Sequence, residues 1–500
     1  MKTMQRQLSL LAACLTAIGM LAAILLGLGW SRAAMAAPIQ DDARGRWTDT
    51  FTDALGLTTT VNVIVNAAQG RLELEPPTVI SQTDWIGGAG LLTATAALTN
   101  RYSSGLRVNP LDTGNLSLGF TAPISDKTTG LDQDGYPDLV FGNFVGGPLG
   151  DLNVDSYLYY GGASGFTETN RASFPISRAA ANAIADLNND GLLDIVFARA
   201  NPTGPSYIYW GSSNGYSDSS RTELESLAAT CATAVDLDRD GYLDIVLCNF
   251  FDGSFNMSVN SYIYWGSAEG YTVTNRAELP TAGAMSSFAA DFNNDGYLDL
   301  SFSNYLSNTA YSTNSYIYWG RAEGYTVTNR SELPTVGAHR HSVADLNHDG
   351  YLDIVFSNRR TEGADNGVTT TYAISSYVYW GSSTGFSVTN RLELPTVGSY
   401  GNSLADLNGD GWPEIIFSNH YDGITHSINS YIYWNSSGTF SPTIRTELPT
   451  LGAAGNCVDD LNLDGYPDIV FANRRLGNDH DIPSYIYWGS SDGYTITNRW

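Results

Sequence analysis

Seven times along this chain an acidic turn breaks into a β-branched apolar run, as in DLNHDGYLDIVFSN at residues 345–358. The turn glycine recurs as Gly135, Gly191, Gly241, Gly296, Gly350, Gly411 and Gly465, at spacings of 50 to 61 residues. Two further landmarks follow each turn in fixed order, typified by SYIYWG at 315–320 and TNRSELPT at 328–335. A repeat of this length with several short strands per unit predicts a propeller or array. A single unit cannot bury its apolar faces alone, whereas stacked neighbours can.

The unit resolves into four strands. Strand A ends at the first aspartate (HSVAD), strand B follows the turn (DIVFSN), strand C is SYIYWG and strand D contains RSELPT. The expected fold class is all-β, a seven-bladed propeller of four-stranded blades over residues 115–500. Tyr316 and Tyr318 on one face of strand C, and Ile317 and Trp319 on the other, make both faces apolar, as stacking on two neighbours requires. This aromatic stripe reads as packing rather than a sugar platform. Arg330 and Glu332 share a face of strand D and are expected to pair at the blade's outer edge. The sequence stops at Trp500, just after TITNR and before an ELPT strand. Residues 116–122 (LSLGFTA) are expected to supply that outer strand to the seventh blade; the alternative is a C-terminally truncated fragment.

Within the turn, Asp345, Asn347 and Asp349 stand at alternate positions, Gly350 permits a sharp reversal with positive φ, and Asp353 completes a nine-residue set. Oxygens from positions 1, 3, 5 and 9, with the backbone carbonyl of Tyr351 at position 7, can converge on one hard cation. A demand for about six to eight oxygens suits Ca2+ better than the rigid octahedral shell of Mg2+. The flanks read as strands, and the last acid comes too early for an EF-hand. The matching sets are Asp186, Asn188, Asp190 and Asp194; Asp236, Asp238, Asp240 and Asp244; and Asp291, Asn293, Asp295 and Asp299. Asp406, Asn408, Asp410 and Glu414 form the sixth, and Asp460, Asn462, Asp464 and Asp468 the seventh. The first turn has Gly130 where the leading aspartate belongs, leaving Asp132, Asp134 and Asp138, and is expected to be the weakest site. The other carbonyl positions are Tyr136, Leu192, Tyr242, Tyr297, Trp412 and Tyr466.

A metal-free Asx-turn would use the same residue types. Seven copies favour the metal reading, because carboxylates crowded into one turn repel unless a counter-ion relieves them. Up to seven Ca2+ are expected. The formal net charge is −26, and 22 of the 51 acidic residues sit in these turns. That balance excludes a general long-range attraction to nucleic acid or to an anionic membrane.

With ADLNxDGYLDIVF running through the repeats, the chain resembles the FG-GAP and VCBS repeat family over residues 115–500. Relatives of that family include the seven-bladed propellers of integrin α-chains and of certain fungal lectins. The resemblance implies the propeller and calcium in the turns. The Phe-Gly and Gly-Ala-Pro landmarks of the integrin version are mostly absent, so the likeness is to the bacterial-type repeat.

Lys2 and Arg6 precede an apolar run at 8–30, and Ala34-Met35-Ala36 offers a small-residue cleavage site. Residues 1–36 therefore read as an export signal, with an uncleaved membrane anchor as the alternative. The expected location is secreted or on the cell surface. Residues 37–114, with VNVIV at 61–65 and RLELE at 71–75, read as a small β-rich accessory region. Cys231 and Cys248 flank the third turn almost symmetrically, as a cross-hairpin disulfide or as two buried thiols. Cys14 lies in the leader, and Cys457 has no evident partner.

In such a blade the A–B turns and C–D loops share one end, and the B–C loops and D–A connections share the other. The B–C loops vary from 6 to 17 residues. Variable loops on a rigid scaffold are where recognition usually sits. The residue after strand B is Phe144, Ala200, Phe250, Tyr305, Arg359, His420 and Arg474 in turn, an expected ring of ligand contacts. Arg360, Tyr421, Asp422 and Arg475, with His339 and Tyr400 of the D–A connections, would join it. A binding protein for a glycan or an extracellular protein is the first functional reading. A polysaccharide lyase or hydrolase on the same scaffold is the alternative, with His339, His341, His420 and Asp422 as the candidate acid/base groups. A structural repeat module is the third class.

Overall fold

The computed structural model describes residues 131–132, 138–144, 155–160, 169–308, 310–361, 371–460, 464–477 and 482–499, together with the backbone of the strands before residue 131. The chain divides into two compact units, Met1–Gly88 and Ala89–Trp500. In the first, Arg46–Thr52, Thr58–Asn66 and Arg71–Glu75 form an antiparallel meander. Two short strands, Ser31–Arg32 and Ile39–Gln40, pair with Arg46–Thr52. VNVIV and RLELE lie in adjacent strands of this meander. The export-signal and cleavage-site reading lies outside the described residues, Ser31–Arg32 apart.

The second unit is a seven-bladed β-propeller: six four-stranded antiparallel sheets and a seventh with three strands, each in simple chain order. In the fifth blade the strands are A, Ala338–Ala344; B, Asp353–Asn358; C, Ala373–Tyr379; and D, Arg391–Val397. Every residue of that B strand is buried, because a neighbouring blade covers each face. The cores therefore lie between blades. Ile416, Ile432 and Leu448 of blade six pack with Ile469, Phe471 and Tyr487 of blade seven.

Polar residues that recur with the repeat have matching structural duties. The second tyrosine of strand C donates its hydroxyl to the carbonyl of the ELPT proline in the preceding blade, as Tyr379 does to Pro334 (2.6 Å) and Tyr433 to Pro395 (2.5 Å). The asparagine ending strand B closes the opposite end: Asn358 accepts from Val336 N (3.1 Å) and donates to Ser375 O (2.9 Å). At the outer edge Arg330 bonds Glu332 at 2.6 Å and lies 4.1 Å over the Tyr316 ring. An exposed pair of this kind contributes about 0 to 1 kcal/mol.

Two features depart from the expectations. The strand Leu118–Phe120 is not the outer strand of blade seven; it pairs with Leu139–Phe141 as the inner strand of blade one. Strand B of the first blade needs a partner on its axial side, and this segment supplies it. At the outer edge of blade seven, Arg499 bridges Tyr487. The same tyrosine–arginine step begins strand D elsewhere, as at Tyr379 and Arg391. Secondly, the described A strands from blade two onward are irregular between their first and third residues. His339 and Tyr400 therefore belong to strand A, at this irregularity, rather than to the D–A connection. Cys231 and Cys248 face each other in the register of blade three and form a disulfide, with Cα atoms 5.1 Å apart.

Candidate functional site

The two ends of the propeller carry different chemistry. At the A–B end, the fifth turn wraps around its leading aspartate. Asp345 accepts from Asp349 N (3.1 Å) and Gly350 N (2.9 Å), and Asp349 accepts from Tyr351 N (2.9 Å). His348 and Gly350 both have positive φ, 56° and 88°, which folds the chain back within two residues. Asp353 is completely buried, its two oxygens accepting from Leu346 N and Gly381 N, each at 2.8 Å. The glycine of SYVYWG is thereby explained, since a Cβ on Gly381 would stand 2.3 Å from Leu352 O.

The same bonds recur around Asp186, Asp236, Asp291 and Asp406. In the seventh turn Asp460, Asp464, Tyr466 and Asp468 are described and Asn462 is not. In the first, Asp132 and Asp138 are described, while Asp134 and Tyr136 lie outside the described residues. The third turn brings carboxylate oxygens of Asp236, Asp238 and Asp244 within 4.8 Å of one another. Burial, opposed by the two backbone N–H bonds and reinforced by the neighbouring aspartates, pushes Asp194, Asp244, Asp299 and Asp353 up to about 7. Glu414 in blade six is raised likewise to about 7. An all-oxygen donor set with surplus negative charge and no nitrogen or sulfur ligand fits a hard divalent cation such as Ca2+.

At the B–C end the expected ring is uneven, and much of it is buried. Tyr305, Arg359, His420 and Arg474 converge on Tyr400, drawing on blades four to seven. Tyr400 is 6% exposed, with His339 at 3.8 Å and His420 at 4.5 Å between ring centroids. The Arg359 guanidinium lies 4.5 Å over the same ring and donates to the Tyr305 hydroxyl at 2.7 Å. Arg474 donates to the Tyr400 hydroxyl. Burial alone would raise the Tyr400 phenol; Arg359 and Arg474, with that hydrogen bond and Arg340, overcome it and hold it at about 8. Burial, then the same arginines, keep His339 and His420 well below their ordinary range, hence neutral.

Phe250 reaches the edge of the cluster, 6.4 Å from Tyr305, whereas Phe144 and Ala200 stand on blades one and two and take no part in these contacts. Around the margin Arg360 lies 4.1 Å over Tyr311 and bonds the Tyr372 hydroxyl. Tyr421 packs 5.0 Å from Tyr372, and Arg475 donates to Gly477 O. His341 is held apart, bonded to Ser286, Ser301 and Ser303 between blades four and five. Asp422 caps its own loop, accepting from Ile424 N and Thr425 N, and forms no dyad with His420, whose Nδ1 faces Gly452 O at 2.9 Å. Arg340 was missed from the sequence. Its signal is a break in the repeat, where the equivalent strand-A positions hold Ala181, Cys231, Ser286, Gly401 and Gly455.

Seven stacked blades with one acidic hairpin apiece define a repeat propeller. A family model described as the FG-GAP-like repeat matches residues 131–197, 186–247 and 406–471. The chain carries FG-GAP-like repeats within its seven-bladed propeller. No curated protein matches it. Similar solved structures include the V. cholerae biofilm matrix protein Bap1, at 12% identity and a TM-score of 0.41, covering 75% of this chain and 87% of that one. Another is BBS1N in complex with ARL6DN, at 10% identity and a TM-score of 0.40, covering 73% of this chain and 91% of that one.

Proposed function

We propose that this chain is a calcium-stabilised binding protein of the cell exterior, secreted or surface-held, that recognises a glycan or a protein through the B–C end of its propeller. The observation that carries this reading is the cluster on Tyr400. Side chains from four blades meet there, at positions where the other blades carry small or unrelated residues. Packing of the ring does not call for it, since blades two and three stack without one. The turns at the other end would hold Ca2+ through the aspartates and asparagines at positions 1, 3, 5 and 9. There the ion would neutralise the crowded acids and fix each A–B hairpin.

A second reading, a polysaccharide-degrading enzyme, draws on one observation: a phenol held at about 8 beside two neutral imidazoles and two guanidiniums. Those are groups able to take up a proton and to offset charge. The test is a glycan and protein array probed with the full chain, with and without calcium, followed by chromatography of any bound polysaccharide. Retention of an unaltered ligand supports the binding protein. Shortened products that vanish with Tyr400→Phe transfer the site to the enzyme reading, and an array silent in calcium removes both.

A further inference from the structure

The Tyr400 cluster is a concentration of positive charge in a strongly acidic protein. Arg359 and Arg474 lie 4.5 and 5.5 Å from the Tyr400 ring centre. Arg340 comes in from strand A of blade five, its Cδ 3.5 Å from where a Cβ on Gly401, the residue after Tyr400, would stand. Along the D strands at the outer edges of the blades, arginines pair with acids, as Arg276 does with Glu225 and Glu278, Arg391 with Glu393 and Arg445 with Glu447. Among the described residues no carboxylate pairs with Arg340, Arg359 or Arg474. Among the described residues the neighbours that face them include Tyr305, His339 and His420, none of them a carboxylate.

Unpaired polar atoms mark the same place. Among the described residues, the Nε atoms of Arg359 and Arg474 are buried with no hydrogen-bond partner, and so is Nδ1 of His339, a side chain only 4% exposed. Leaving buried guanidinium N–H groups unbonded is unfavourable, and neutral imidazoles supply no counter-charge. A planar fork of N–H donors matches the paired oxygens of a carboxylate or a sulfate.

Resting on the reading of the B–C end as the binding face, we propose that Arg340, Arg359, Arg474 and Tyr400 form a receptor for an anionic oxygen group, carboxylate or sulfate, either free or carried on an acidic sugar. The group takes the role that a pairing carboxylate plays at Arg276, Arg391 and Arg445, bonded by the buried guanidinium N–H donors. The molecule as a whole, with its formal net charge of −26, repels such a ligand, so binding concentrates at this locus.

The experiment is calorimetric titration of the full chain in calcium with sodium sulfate, sodium acetate and sodium glucuronate. Glucose and sodium chloride at matched ionic strength are the controls. Saturable binding of an oxyanion is expected, weakened about tenfold or more in Arg359→Gln and Arg474→Gln, as loss of a charge-assisted bond implies. Glucuronate binding more tightly than acetate points to an acidic sugar as the source; sulfate and acetate binding as well as glucuronate points to the free anion. Should either variant fail to fold, the wild-type protein still reports, because a bound oxyanion moves the ionisation of Tyr400, followed by tyrosinate absorbance, to higher pH. Failure of every oxyanion to bind beyond chloride overturns the anion receptor. Neutral glycans retained on the array would in that case leave the binding-protein reading standing, and a silent array would remove both.

Discussion

The hydroxyl of Tyr400 in blade six accepts a hydrogen bond from Arg474 in blade seven. That bond and the guanidinium of Arg359 hold the phenol at about 8, against an ordinary value of 10. The folded state thus binds fewer protons than the unfolded chain between about pH 8 and 10, so the Tyr400 contribution to stability grows with pH across that window and is lost as pH falls through about 8. A shift of about two units corresponds to about 2 to 3 kcal/mol. Urea unfolding of wild type and Tyr400→Phe should show a stability difference that widens between pH 7.5 and 10 by about that amount. A difference independent of pH would show that the arginines do not hold a tyrosinate.

Tyr379 ties blade five to blade four, donating to Pro334 O at 2.6 Å while accepting from Arg391 at 3.2 Å. Its ring is fully buried and stays packed in Tyr379→Phe, so the loss is that of the hydroxyl bonds alone. The expected cost is about 1 kcal/mol, with the carbonyl of Pro334 left unsatisfied at the interface. The check is the midpoint of chemical unfolding, with m unchanged.

Most of this architecture was legible in the repeat. Strands A to D, the turn residues and the arginine–glutamate pair of strand D follow from alternation and from spacing that most copies restate. What the repeat could not show is where its exceptions meet. Tyr305, His339, Tyr400 and Arg474 lie up to 169 residues apart in sequence and touch only because the ring brings blades four to seven around one end. The irregular start of strand A matters too, because it is a property of pairing and no single residue type announces it. The inner strand of blade one was misread for a related reason. Its distance from the first turn matches an outer strand, while its hydrogen bonds run to strand B.

Gly381 and Gly455 give opposite expectations for the same substitution. A Cβ at Gly381 would meet Leu352 O at 2.3 Å and displace the N–H that bonds Asp353, whereas nothing lies within 4 Å of a Cβ at Gly455. Gly381→Ala should therefore cost about 2 to 4 kcal/mol, and Gly455→Ala should be neutral to slightly stabilising. Thermal unfolding of the two variants side by side is the check. Equal effects would mean that the Trp-Gly step is not fixed by its contact with the turn.

The third turn separates the metal reading from a plain Asx-turn. It alone among the seven has aspartate at positions 1, 3, 5 and 9, and Asp238 stands where five others have asparagine. Oxygens of Asp236, Asp238 and Asp244 lie within 4.8 Å, and burial followed by repulsion from Asp240 raises the Asp238 carboxyl above its ordinary value. Without a cation, Asp238→Asn removes one repelling charge while keeping an oxygen in place, and should stabilise the protein by about 1 kcal/mol. With a cation bound, the same change removes an attractive charge and should lower calcium affinity. Unfolding of wild type and Asp238→Asn in chelator and in saturating calcium is therefore expected to show a difference that reverses sign, with calcium stabilising both proteins. At 100 times the dissociation constant each occupied turn adds about 2.7 kcal/mol. If calcium moves neither midpoint, the aspartates serve only their own backbone, and the turn is a hydrogen-bonded corner whose charge has another use.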